Sequence, residues 1–232
     1  FLHVCPSPTR RGFKSACPSA EQGRAQRQRQ TQPPAGPGLV AKGLLKKSQL
    51  DTSYDGAPAR FAGDPSITQQ GFANSEPYTY ENETPSWNKP VAYAMVKDAG
   101  YDVYASNVSV RPDKMEKLSP CLEKLIPMIQ QTGKNYVNSP DAINKTITDW
   151  VSQDVSFSTY SAGEASYSAK ILKEKGVIGP DAAGVWGGID MAKAQELINQ
   201  LIPVLNKTGS DLPAQIPATD LYSTRFIDTK IQ

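Results

Sequence analysis

The sequence predicts an α/β or α+β fold, with short strands early in the chain and capped helices late. Three observations predict it. Residues 72–110 contain short runs rich in β-branched and aromatic residues, apolar residues recur at helical spacing after Arg111, and loops rich in Gly and Pro separate these segments. At 232 residues the chain is long enough for one large domain or two small ones.

Three segments are typical of strands. The first is the short run Phe72 to Ser75. The other two are "KPVAYAMV" at 89–96 and "YDVYASNVSV" at 101–110, which alternate or run apolar, and Gly100 marks a bend between them. Two or three strands would cover four helices poorly, so by this count part of the predicted sheet is missing.

Four helices are predicted after Arg111. The first two carry a Ser-Pro pair at 119–120 and at 139–140, the pattern of an N-cap followed by proline at the first helical position. The third spans about Glu164 to Lys175, and the fourth begins after Asp190. Apolar residues three and four positions apart indicate that such helices bury one face.

The first 38 residues differ in character from the rest. Residues 1–40 contain six basic residues and one acidic residue, a net of +5, which leaves −3 for the remainder of a chain whose net charge is +2. A segment rich in Gln, Arg, Pro and Gly buries too little apolar surface to offset chain entropy, so residues 1–38 are expected to be disordered or non-native. A nucleic-acid-binding arm is the functional alternative, although no aromatic residue interleaves the arginines of 21–38.

The composition excludes several kinds of site. The sole histidine, His3, lies in the N-terminal segment, so Ser-His-Asp and Cys-His catalysis lack a histidine beside a nucleophile. The three cysteines have irregular spacing and form no metal-ligand pattern. No run approaches the roughly 18 to 20 apolar residues of a membrane span. No enzyme activity, metal or cofactor is therefore predicted.

The stretch "QQGFANSEPY" at 69–78 ends a short apolar run in a serine, a carboxylate and a proline, with aromatic residues following. It resembles a segment of the extracytoplasmic solute-binding proteins of ABC importers, in the nitrate, sulfonate and thiamine-precursor-like group. In that group a strand leads to a carboxylate-proline-aromatic turn at a cleft between two lobes. Other segments resemble the same family in the same order, so the resemblance spans about Leu39 to Asp228; they are 41–72, 101–110, 119–147, 187–213 and 218–228.

The resemblance implies a periplasmic-binding-protein-like (type II) fold of two lobes. It assigns residues 39–110 to part of the second lobe and the crossover, and residues 111–232 to the helical return portion of the first lobe. The strand-helix run that opens the family's first lobe has no counterpart here. A copy that is incomplete at its N-terminal lobe is therefore expected.

The implied function is that of the substrate-binding component of an ABC importer. Such a protein captures a small solute in the interlobe cleft and delivers it to a membrane permease. The expected protein is a monomer without a nucleic-acid partner, periplasmic or extracellular, and membrane-associated in its full-length form. Two alternatives stay open: an enzyme of the same fold, either similar to a pyrimidine-precursor synthase or using Asp55 and Glu76 as an acid-base pair, and a nucleic-acid binder acting through the basic arm.

The implied ligand contacts combine hydrogen-bonding groups with aromatic faces. Glu76 would accept hydrogen bonds from a donor-bearing solute, a cationic or amino-heterocyclic one, and aromatic rings would stack on a flat ring or a cation. Two alternatives are that Glu76 caps a neighbouring helix or satisfies amides at a hinge, and that Trp87 is ordinary packing. The implied ligand-binding residues are Tyr54, Asp55, Ser75, Glu76, Tyr78 and Trp87.

Overall fold

The fold is helical in the part of the chain that can be described. The computed structural model describes residues 38–40, 42–51, 59–64, 66–104, 106–153, 159–207 and 209–232. Helix accounts for 52% of the interpretable part, and no sheet is present in it. The prediction of an α/β, type II two-lobe fold is therefore wrong.

Seven α-helices have both ends within the described residues, and residues 38–40 are also helical. Helices α3 to α6 each contain 13 residues or more and correspond to the four helices predicted after Arg111. Helix α2 continues into a π-helical turn at Thr79–Glu83, and a 3₁₀ turn at Pro112–Lys114 leads into α3. The helices are α1 (Ala59–Gly63), α2 (Glu76–Tyr78), α3 (Met115–Asn138), α4 (Asp141–Gln153), α5 (Ala162–Glu174), α6 (Met191–Lys207) and α7 (Ala218–Leu221).

Helix α3 begins earlier than the Ser-Pro pair at 119–120 predicts. Ser119 does not cap it but lies inside it, where its hydroxyl donates to the Met115 carbonyl at 3.0 Å. The proline that starts the helical path is Pro112, at the first position of the 3₁₀ turn. The helix then runs past Gly133 to Asn138, because glycine lowers helix stability without forbidding a helix.

None of the three predicted strands forms. Residues 73–75 are a turn that leads into α2, and the described residues 89–96, 101–104 and 106–110 lack regular strand structure. Within the described ranges the β pairing consists of one isolated antiparallel bridge, between Pro180 and Trp186. A strand depends on a neighbouring strand to satisfy its backbone groups. The β-branched and aromatic residues of these segments pack individually instead, as Tyr104 does against the ring of Tyr222 at 6.2 Å.

A hydrophobic core lies between α6 and α7. Its buried members are Ala194, Ile198, Ile202 and Ala218, three of them on one face of α6. Asp190 starts α6 as predicted, since its Oδ1 accepts hydrogen bonds from the second and third residues of the helix, at 2.9 and 3.1 Å. This capping satisfies amides that have no partner inside the helix.

Gln130 on α3 holds the C-terminal segment against the helix. Its Nε2 donates to the carbonyls of Trp186, at 2.7 Å, and Asp228, at 3.1 Å. Its Oε1 accepts from the Asp228 amide at 2.9 Å. The side chain is buried, so these three bonds replace water for both backbone segments.

Helix α5 packs against α3 and α4, and its other side faces residues 73–78.

Residues 1–37, which contain nearly all of the segment expected to be disordered, lie outside the described residues. The division of the chain at residues 38 and 110 stays a prediction. Of the helices that the structure describes, none combines the length and the hydrophobicity needed to cross a membrane.

Candidate functional site

The GFANSEPY segment, residues 71–78, is hydrogen-bonded to one face of α5. Asn74 Nδ2 donates to Ser168 Oγ at 2.8 Å, and Ser75 Oγ donates to Glu164 Oε1 at 2.5 Å. Glu164 and Ser168 are four residues apart and so share a helix face. The two polar pairs therefore join this segment to a helix that lies about 90 residues later in the chain.

Tyr78 adds an aromatic contact to this junction. Its ring lies 5.6 Å from the ring of Tyr167, at an interplanar angle of 40°. The Tyr167 hydroxyl donates to the Ala73 carbonyl at 3.3 Å. Tyr78 lies directly against Gly163, where a Cβ atom would be 2.7 Å from Tyr78 Cζ. Glycine at this position thus lets the ring approach the first turn of α5.

Glu164 is a buried carboxyl group, only 5% exposed. Burial raises its pKa, the hydrogen bond from Ser75 lowers it, and the negative charges of Glu83 and Glu76 raise it. The backbone amide of Glu164 donates to the N-cap Ser161 Oγ at 3.0 Å. Helix capping therefore fixes the backbone, while the carboxyl group points to the GFANSEPY segment.

Glu76 turns back onto its own segment. One carboxylate oxygen accepts a hydrogen bond from the Phe72 amide at 2.6 Å. The carboxyl carbon is so close to Gly71 that a Cβ atom there would lie 2.8 Å from it. Glu76 thus satisfies an amide of the turn in which it lies, and its predicted contact with a solute stays a prediction.

Trp87 belongs to a second aromatic group, with Phe61 and Tyr80. Ring centroids are 4.7 Å apart for Phe61 and Tyr80, and 5.0 Å apart for Phe61 and Trp87. Lys89 places its ammonium 4.2 Å from the centre of the Trp87 ring. The Trp87 ring, which was expected to stack on a solute, therefore already contacts the ammonium group of Lys89.

Four glutamates surround the junction: Glu76, Glu81, Glu83 and Glu164. None of them forms an ion pair with a lysine or arginine in the part of the chain that is described. Nearby, burial raises the pKa of Tyr167 to about 12, with Tyr93 and the charge of Glu81 adding to the effect. The junction therefore combines several carboxyl groups with tyrosine rings.

The structure brings only some of the predicted site residues together. Ser75 and Tyr78 both contact α5, Glu76 lies beside them, and Trp87 lies in the second aromatic group. Tyr54 and Asp55 lie outside the described residues, as does the predicted acid-base pairing of Asp55 with Glu76.

The residues of α5 were not predicted as site residues. The pattern Ser161-x-x-Glu164 matches a capping box, in which the glutamate would return to the N-cap amide. In the structure the Glu164 carboxyl bonds to Ser75 instead. The available sequence signal thus pointed to a helix start and gave no sign of a contact with residue 75.

Comparison with protein families, curated proteins and solved structures gives no match to this chain. In the described ranges no group of three or more His, Cys, Asp or Glu side chains is placed to hold a metal ion. The geometry of the junction therefore carries the functional argument.

Proposed function

We propose that this chain is the solute-binding component of an ABC importer, which captures a small solute and delivers it to a membrane permease. The proposed site is the junction of the GFANSEPY segment with α5. The proposal does not depend on the two-lobe fold. It implies that the protein acts in the periplasm or outside the cell.

The single observation that carries the proposal is the buried pair of Ser75 and Glu164. A buried carboxyl group is costly unless it is paired or functional. Among the described residues, the hydrogen-bond donor to this carboxyl group is Ser75, in the segment that resembles the cleft motif of solute-binding proteins. This coincidence of motif and buried carboxyl supports a binding site at the junction.

The charge of the junction favours a class of solute. Carboxylates without a cationic partner attract a positive group, and tyrosine rings offer faces to a flat ring or a cation. An amino-heterocycle with a protonated or donating nitrogen combines both features. We therefore infer a cationic or amino-heterocyclic solute rather than an anionic sulfonate or nitrate.

Isothermal titration calorimetry with aminopyrimidines, alkylamines and sulfonates tests the proposal. We expect an aminopyrimidine or an amine to bind and the sulfonates not to bind. Glu164→Gln should weaken that binding about tenfold or more, the loss expected for one charge-assisted hydrogen bond. Glu174→Gln is the matched control on the same helix, because Glu174 is exposed and lies at the other end of α5.

Two results would contradict the proposal. One is an absence of binding across the panel by protein shown to be folded. The other is equal affinity of the Glu164→Gln and Glu174→Gln variants. Recovery of the bound compound by mass spectrometry separates capture from catalysis, since an importer component returns its solute unchanged.

A further inference from the structure

Helix α3 carries a second apolar stripe that lies on the surface. Its packed face includes Leu122 and Val137, which are buried. Three other apolar side chains of the helix are exposed: Leu125 by 39%, Met128 by 57% and Ile129 by 46%. They lie three and four positions apart and so share one face, roughly 100° around the helix from the packed face. A contiguous apolar stripe of this kind is typical of an interaction surface.

Cys121 lies on the same stripe, one helical turn before Leu125, and it is disulfide-bonded. The sequence contains two other cysteines, Cys5 and Cys17, and both lie outside the described residues. A disulfide requires its two Cα atoms to lie within about 7 Å of each other. A bond within the chain would therefore bring one of these cysteines, with the residues beside it, to the exposed face of α3.

The first 17 residues differ from those that follow in their apolar content. They include Phe1, Leu2, Val4 and Phe13, whereas residues 18–37 contain no large aliphatic or aromatic residue. Large apolar side chains on both partners would leave water together, which favours association. A covalent tether lowers the entropy that this association must overcome, so a few apolar contacts are enough.

We propose that residues 1–17 dock on the exposed stripe of α3 and are held there by a disulfide between Cys121 and either Cys5 or Cys17. Such a bond persists in an oxidising compartment, which the periplasm or the exterior proposed for this protein provides. The docking does not depend on the solute proposed for the junction, because it concerns a different helix and none of the junction residues.

Tryptic peptide mapping of the full chain under non-reducing conditions tests the bond. Trypsin cleaves after Arg10 and Lys14, so Cys5 and Cys17 fall in separate peptides. We expect the peptide that contains Cys121 to be linked to one of these two peptides. A Cys121 thiol that reacts with iodoacetamide in the oxidised protein would overturn the proposal. So would a disulfide between two copies of the chain, seen as a dimer on a non-reducing gel.

NMR of methyl-labelled methionine tests the docking itself. The chain has four methionines, so the spectrum is simple and Met128→Leu assigns the signal of Met128. In the oxidised protein we expect nuclear Overhauser contacts between the Met128 methyl group and side chains of residues 1–17. Their absence in protein with the disulfide intact would overturn the docking.

A substitution on the stripe should also make the disulfide easier to reduce, because docking and the bond stabilise each other. In glutathione buffer, forming the bond from two protein thiols converts one glutathione disulfide into two glutathione thiols. Ile129→Ser should lower the equilibrium constant of this exchange about fivefold, since it removes about half of the burial of one large apolar side chain. Leu221→Ser is the matched control and should leave the constant unchanged, because Leu221 is 61% exposed but lies on α7. Equal constants for the two variants would refute docking on this stripe.

Discussion

Replacing Gly163 by alanine tests the contact between Tyr78 and α5. The added Cβ would lie 2.7 Å from Tyr78 Cζ and closer still to the hydroxyl oxygen, so the ring must move away. Moving it sacrifices the ring contact with Tyr167, worth about 0.5–1.5 kcal/mol, and overpacking adds about 1–3 kcal/mol. The higher helix propensity of alanine offsets up to about 1 kcal/mol. We expect a net loss of about 0.5–4.5 kcal/mol in the free energy of unfolding.

Urea denaturation followed by circular dichroism measures this loss. Gly133→Ala in α3 is the matched control, because its Cβ would meet Ile178 at an ordinary 3.7 Å and should leave stability unchanged or slightly higher. A double-mutant cycle with Tyr78→Ala isolates the contact. If Gly163→Ala costs the same with and without the Tyr78 ring, the ring does not lie where the structure places it.

Three further substitutions test other parts of the structure. Burial raises the pKa of Glu164 above its ordinary 4.5, so the contribution of this group to stability is full below pH 4.5 and is lost as pH rises through the raised pKa. Glu164→Gln should therefore flatten the fall in melting temperature that sets in as pH rises above 4.5, and parallel profiles of the two proteins would argue against the burial. Gln130→Leu removes three hydrogen bonds and leaves the Trp186 carbonyl and the Asp228 amide without a partner among the described residues, whereas the Asp228 carbonyl keeps its bond from the Ile231 amide. The substitution should cost about 2–5 kcal/mol in urea denaturation, and exposed Gln131→Leu should cost little; similar losses would contradict these contacts of Gln130. Asp190→Ala removes two capping hydrogen bonds and should lower the free energy of unfolding by about 1 kcal/mol. An unchanged free energy of unfolding would contradict the capping role of Asp190.

The helices were predictable because their signals are local. The capping carboxylate of Asp190 and the glycine at 176, whose φ is +62°, mark helix ends within a few residues of the observed ones. The prediction that Ser119 caps a helix also used a local signal, because Ser119 and the proline after it fit an N-cap. The helical path begins earlier, at Pro112. The strand predictions were wrong because the composition of residues 89–96 and 101–110 shows only that they are suited to a strand. Whether a neighbouring strand is present to pair with them depends on the rest of the fold, which local sequence does not show.

The sequence singled out residues on only one side of the junction, in the GFANSEPY segment. The GFANSEPY segment identifies Ser75 and Tyr78 by its composition and order, since a hydroxyl and a ring beside a carboxylate are suited to binding. Their partners on α5 lie 85 residues or more away in sequence, and nothing in the spacing of Glu164 distinguishes a helix cap from a buried acid. Glu76 shows that the motif alone does not fix what a residue contacts. Its carboxylate accepts a hydrogen bond from the Phe72 amide in its own turn.

The polar residues buried around α5 argue for function more strongly than any one contact. Glu164, Ser168 and Asn144 are each at most 6% exposed, on helices whose packing alone would favour apolar side chains. Two of them are hydrogen-bonded to the GFANSEPY segment, and the third, Asn144 on α4, has a buried side-chain donor with no partner among the described residues. Natural proteins depart from apolar packing chiefly where a site requires it. Glu164 and Ser168 share one face of α5, so this helix is the element on which the proposed binding site depends.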